Sequence, residues 1–181
     1  RICDVLTHLG YIEGEKPLAQ GKILAKIFAE SDLLLTESIR RGVFDSLTPP
    51  ELLSVASAMI YQGRSSETYA PKMPNDNVAH ALVAVSKIWI ELEAIENQFD
   101  VKTQREPDFG FCYAAFRWAN GHSLSSVLKG TDMTVGDFVR SIKQLIDLLT
   151  QIGGAAEALR PACRDGIKRL DRGVISYMLG D

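Results

Sequence analysis

From Thr134 onward, apolar residues return every three or four positions: Val135, Phe138, Val139, Ile142, Leu145, Ile146, Leu149 and Ile152. That is the period of a helix with one buried face. Thr134, with Asp137 three residues on, marks its start as a capping box. Gly153-Gly154 is expected to break it. One last helix is then expected to run to about Met178, with Ala156, Leu159, Cys163, Ile167, Leu170 and Val174 turned inward and Pro161 marking its start or a bend. A second long stripe, Val78, Leu82, Val85, Trp89, Leu92 and Ile95, predicts a helix from an Asn75 cap to about Gln98. Thr48-Pro49-Pro50-Glu51 is another start signal, with a capping threonine, a proline in the first turn and a glutamate at the third position. Its helix reaches about Tyr61, with Leu52, Val55, Ala56 and Met59 on one face.

The remaining segments are shorter. Ile23, Ile27 and Phe28, followed by Leu33, Leu34 and Ile39, continue the helical pattern from Lys22. Residues 63–75 are rich in Gly, Ser, Pro and Asn and read as the longest loop. A helix around residues 109–119 follows Pro107 and ends at Asn120-Gly121, and Ser123 opens one more turn. At the front, a helix over residues 1–9 stops at Gly10. Tyr11 to Ala19 then reads as a small hairpin turning at Gly14–Lys16. A helix followed by a hairpin is how a winged-helix unit ends. Strand patterns are almost absent after residue 20. The expected fold is an all-α bundle of about six helices, preceded by a short winged-helix remnant over residues 1–25, with the bundle over residues 26–181.

Composition adds little to that picture, at 46 % hydrophobic and 24 % charged over 181 residues. The first residue is Arg rather than Met, so a longer parent chain is expected. The net charge of −3 excludes a global attraction for nucleic acid, so an anionic partner must meet a local patch. Residues 134–181 carry seven of the 20 basic residues and six of the 23 acidic ones. Cys3, Cys112 and Cys163 are odd in number and far apart, which fits neither a disulfide framework nor a zinc site and suits a reducing cytoplasm. No apolar run approaches the roughly 20 residues of a membrane span.

Catalytic signatures are missing from the sequence. There is no G-x-x-x-x-G-K-[ST] phosphate loop, nucleophile elbow or metal-binding helix motif, and His8, His80 and His122 lack ligand spacing. Glu91, Glu93 and Glu96 are expected on a solvated helix face rather than as paired catalytic carboxylates. One charge pattern stands out. Arg160, Arg164, Lys168 and Arg172 recur every four residues, with Arg169 beside them, as one stripe of a helix. It is readable as a solvated face paired with Asp165 and Asp171, as a phosphate contact, or as a protein-docking face. Arg140 flanks the apolar stripe of its helix within two turns of the positive end, where a guanidinium can meet a phosphate or stack on a base. A surface salt bridge is the alternative. Trp89 and Trp118 fall on apolar faces and are expected in the core.

Several of these residues carry a resemblance. Trp118-Ala119-Asn120-Gly121, then Thr131-Asp132, then Gly136-Asp137-Phe138-Val139-Arg140 and the leucine-rich helix after it resemble the DSHCT domain, the C-terminal helical domain of superkiller-type DExH-box RNA helicases. Phe44, Leu47 to Ser54 and Tyr61 resemble the start of that domain, and Arg172-Gly173-Val174-Ile175 its closing helix. The wording of residues 136–140 and 146–149 is most similar to the bacterial, HelY-like branch. The resemblance covers about residues 43–178.

It implies an accessory domain that contacts and guides single-stranded RNA, with DNA as the alternative, during 3′ to 5′ translocation. ATP and magnesium would belong to upstream RecA-like domains of a cytoplasmic parent helicase, reached through the winged-helix domain, with no cofactor in this chain. It places Arg140 against the strand. Gln62 and Arg64 would follow, since the helix end at Tyr61 borders the strand path in relatives, together with Lys143. Two departures from the family pattern are noted. Lys143-Gln144 stands where many relatives carry a basic pair, and Gly63 stands where an acidic residue is common. Two other classes of function remain open on the residues alone: a protein-docking bundle using the Arg160–Arg172 stripe, and a DNA-binding regulator built on the winged-helix remnant.

Overall fold

The computed structural model describes residues 1–25, 32–63 and 70–179. Ten α-helices and a two-stranded ribbon make up the described residues: α1 (Ile2–His8), β1 (Ile12–Glu13), β2 (Lys16–Pro17), α2 (Ala19–Leu24), α3 (Asp32–Arg40), α4 (Pro49–Ser57), α5 (Asp76–Gln98), α6 (Cys112–Ala119), α7 (Leu124–Leu128), α8 (Val135–Ala155), α9 (Arg160–Leu170) and α10 (Val174–Leu179). The all-α bundle expected from the periodicity is present, with more and shorter helices than six.

The front unit is built from local signals. Gly10 adopts φ +78° and lets Tyr11 N–H reach back to Leu6 O at 2.8 Å, which closes α1. β1 and β2 pair antiparallel, Ile12 with Pro17 and Glu13 with Lys16. Tyr11 is fully buried, and its hydroxyl donates to Glu37 Oε1 of α3 at 2.6 Å. Glu37 is itself fully buried and also accepts from Arg40 and Arg41. Burial first, then the bond to the Glu37 carboxylate, push the Tyr11 phenol far above its ordinary range. The expected boundary near residue 25 adjoins residues 26–31, which with Ile27 and Phe28 lie outside the described residues.

α4 is the hub. The expected capping box forms, with Thr48 N–H donating to Glu51 Oε1 at 2.9 Å. Residues Pro50 to Ser57 are all buried, however, rather than one face only. The helix is enclosed by α5, α6, α8 and α9, and its serines are satisfied inside. Ser54 Oγ donates to Cys112 O at 2.7 Å and Ser57 Oγ to Ser54 O at 2.6 Å. Glu51 also accepts from Asn75 and Asn77, so one carboxylate joins the starts of α4 and α5. Burial alone would raise its pKa, but the hydrogen bonds from Thr48, Asn77 and Asn75 together hold it below the usual carboxylate value.

Three expectations are corrected. Gly153-Gly154 does not break α8, which continues to Ala155. Gly153 is buried against α9, where Arg160 Nε donates to Gly153 O at 2.9 Å, so the glycine serves close helix packing. The single last helix is three pieces: a 3-10 turn at Glu157–Leu159, α9 beginning at Arg160 with Pro161 in its first turn, and α10 after a break at Asp171–Gly173. Finally, Glu96 is not on a solvated face. It is 3 % exposed and accepts from Thr103 N–H at 2.9 Å and from the Thr103 hydroxyl, anchoring the chain after α5. Of its neighbours, Glu91 pairs with Arg41 and Glu93 is exposed. Trp118 is in the core as expected, while Trp89 is only half-buried.

Candidate nucleic-acid interface

α8 buries Phe138, Val139, Ile142, Leu145, Leu149 and Ile152. Its opposite, polar face is therefore fixed in direction, and Asp137, Arg140, Ser141, Gln144, Asp147 and Gln151 run along it. This face forms one wall of a cleft of about 480 Å³. Ile60, Tyr61 and Gln62, at the end of the α4 segment, form the other wall together with Arg105.

The walls are held by the core. Tyr61 stacks on Phe111, centroids 5.2 Å apart at 22°. Phe111 meets Phe138 edge-on at 6.0 Å, and Phe138 meets Trp118 at 5.3 Å. Asp108 fixes the loop below Tyr61 by accepting from Gly63 N–H and Gly110 N–H, both at 2.8 Å. A Cβ on Gly63 would come within 3.3 Å of Asp108 Oδ2, so an acidic side chain there would crowd a like charge.

Arg140 is exposed, with 61 % of its side chain accessible, and donates to Asp137 one turn before it. The guanidinium is thus held over the cleft by an ion pair rather than locked inside. Gln62 lines the same cleft and accepts from Arg105 Nη1 at 3.1 Å. Lys143 is half-buried on α8 and does not line the cleft. Arg64 lies outside the described residues. The structure therefore brings Arg140 and Gln62 together and leaves Lys143 beside them.

The basic stripe does not survive as one surface. Arg160 is spent on Gly153 O. Arg172 lies beyond the end of α9, where it donates to Trp118 O at 2.7 Å and His122 O at 2.6 Å and stacks over the Trp118 ring at 3.6 Å. Burial lowers its pKa from the ordinary arginine value. Arg164 and Lys168 remain exposed on α9, and Arg169 pairs with Asp165 at 2.9 Å. Four-residue spacing cannot reveal this, because the helix stops at Leu170.

Two contributors were not picked out from the sequence. Gln144 sits one turn beyond Arg140, and helical spacing signals it. Arg105 lies in an irregular segment after α5, where no periodicity gives its direction. Among the described residues no group of His, Cys, Asp and Glu is placed to hold a metal ion, and no helix is long and apolar enough to cross a membrane. The three cysteines are free thiols, and burial raises Cys112 and Cys163 to about 11.

The family model described as the DSHCT (NUC185) domain matches residues 14–178. The chain is 32 % identical to "Probable helicase HelY" of Mycobacterium tuberculosis over 99 % of its own length and 22 % of the relative's. It is 33 % identical to the Mycobacterium leprae protein of the same name, over 99 % and 21 %. It is 24 % identical to "Exosome RNA helicase MTR4" of Homo sapiens, over 94 % and 17 %. The chain thus spans about a fifth of these relatives.

Proposed function

This chain belongs to the DSHCT (NUC185) domain family, and from that membership we propose that it is a helicase accessory domain whose Arg140 cleft contacts and guides a single strand of RNA. Its task is mechanical rather than catalytic: a rigid bundle offers the passing strand a fixed set of side chains while another part of the protein supplies the work. The sequence contains no phosphate loop, so ATP and magnesium are assigned to upstream RecA-like domains of a parent cytoplasmic helicase moving 3′ to 5′.

The observation that carries this reading is that Arg140 and Gln62 line one cleft. They lie on separate elements far apart in sequence, and both were expected near the strand. The apolar side of α8 is buried and its aromatic neighbours are packed, so the guanidinium is presented without a deformable support. A planar guanidinium suits both phosphate and base faces. The experiment is Arg140→Ala in the full-length helicase. RNA-stimulated ATP hydrolysis and unwinding should fall while the circular dichroism spectrum is retained, and unchanged unwinding would refute the role.

A further inference from the structure

The two walls of the cleft are not equally stiff. One is α8, a 21-residue helix whose apolar side is buried. The other follows α4, which has already ended at Ser57. Among the described residues, Tyr61 N–H to Ser57 O at 3.0 Å is the last backbone bond this segment makes to itself. The placing of Tyr61 and Gln62 therefore depends on what grips the chain around them.

Asp108 grips it at both ends. Its backbone N–H donates to Ala58 O at 3.0 Å. Its Oδ2 accepts from Gly63 N–H at 2.8 Å, 45 residues away in sequence. Residues 58–63, with Tyr61 and Gln62 among them, are thus closed into a loop by one side chain and its own amide. Oδ1 accepts from Gly110 N–H at 2.8 Å, which fixes the direction of the carboxylate. Hydrogen bonds to an ionised acceptor are the strong ones. Gly110 permits the close approach, because a Cβ there would lie 3.1 Å from Tyr61 Cε1 and 3.0 Å from Asp108 Oδ1. The next residue, Phe111, covers the face of the Tyr61 ring. Residues 108–111 form a strap under the wall.

Resting on the strand-guiding reading, we propose that Asp108 and Gly110 are positioning residues for strand binding. Neither lines the cleft. They act through the Ile60–Gln62 wall, which they hold at the separation from α8 that a strand fits. A wall loose by about 1 Å keeps the same side chains but binds more weakly, because the strand must order it on arrival.

The test is fluorescence anisotropy of the full chain with a labelled uridine dodecamer, on variants shown to be folded by circular dichroism. Asparagine keeps one acceptor oxygen and turns amide N–H groups toward the second backbone donor. Asp108→Asn should therefore weaken dodecamer binding about tenfold, the scale of one hydrogen bond. On a Gln62→Ala background the same change should cost less than about twofold, since a contact it positions is already gone. If Asp108→Asn does not fold, Gly110→Ala, which presses on Tyr61 and Asp108, takes its place in the cycle and should weaken binding only where Gln62 is present. A residue needed for stability alone would lower the urea midpoint and leave the affinity of the folded protein unchanged. That result, or equal losses with and without Gln62, would overturn the proposal while leaving strand guidance standing. No binding of the dodecamer by the folded wild-type chain would overturn both.

Discussion

Tyr11 and Glu37, 26 residues apart, share a 2.6 Å hydrogen bond inside the protein with both side chains fully buried. This bond fastens the front helix and hairpin to α3, so the hairpin is part of the packed body rather than an appended arm. Removing the hydroxyl leaves a buried carboxylate short of one donor. Tyr11→Phe is therefore predicted to destabilise the fold by about 1–3 kcal/mol in urea unfolding. Glu37→Gln should cost more, because Arg40 loses its charge partner and Arg41 keeps only Glu91.

The alkaline limb of the stability curve follows from the same burial. The Tyr11 phenol and the Cys112 and Cys163 thiols all have pKa values raised in the folded state. A raised value means that the unfolded chain gives up its proton first. Their contribution is complete below the unfolded pKa, about 9 for a thiol, and is lost as pH rises beyond it. The urea midpoint should fall between about pH 8 and 11, and Cys163→Ala should make that fall shallower. A midpoint independent of pH in this range would contradict the prediction.

Two adjacent glycines should behave in opposite ways. A Cβ on Gly154 meets nothing within 4 Å, so Gly154→Ala should stabilise α8 by about 0.5–1 kcal/mol by restricting the unfolded chain. Gly153 faces Cys163 and Arg160 of α9 at 3.5–3.7 Å. Any side chain larger than alanine must push the helices apart, and Gly153→Leu should cost about 1–3 kcal/mol. Thermal unfolding of the pair reads both signs.

Arg172 is predicted to be a staple. It donates to two backbone carbonyls and covers the Trp118 ring. Arg172→Lys keeps the charge but neither the fork nor the flat stack, and should lower stability by about 1.5–3 kcal/mol. Reversing the exposed Arg164 and Lys168 to glutamate should change stability little, within about 0.5 kcal/mol.

What was legible in the sequence was local. The Thr48–Glu51 capping box, the Thr134 cap on Asp137 N–H and the α8 stripe from Phe138 to Ile152 involve residues three or four apart and formed, while Val135, read into the same stripe, is exposed. So did the direction of Arg140, because it follows from which side of α8 is apolar. What was not legible depends on partners distant along the chain. Gln62 meets Arg105 across 43 residues, and Arg172 meets Trp118 across 54. Glu96 looked like a solvated glutamate because nothing in its helix announces that the chain folds back over it at Thr103. Gly153-Gly154 looked like a stop because glycine breaks an exposed helix, whereas here the neighbouring helix packs against Gly153 and supplies what its missing side chain would have given.

The central claim is that a strand lies in the cleft between the Tyr61–Gln62 turn and the polar face of α8. Photocrosslinking of the full chain to a single-stranded RNA containing 4-thiouridine, followed by peptide mapping, tests it most directly. The account predicts crosslinks within residues 60–62 and 134–151 that are weakened by Arg140→Ala. Crosslinks confined to the exposed Arg164–Lys168 side of α9, or spread without regard to Arg140, would contradict it.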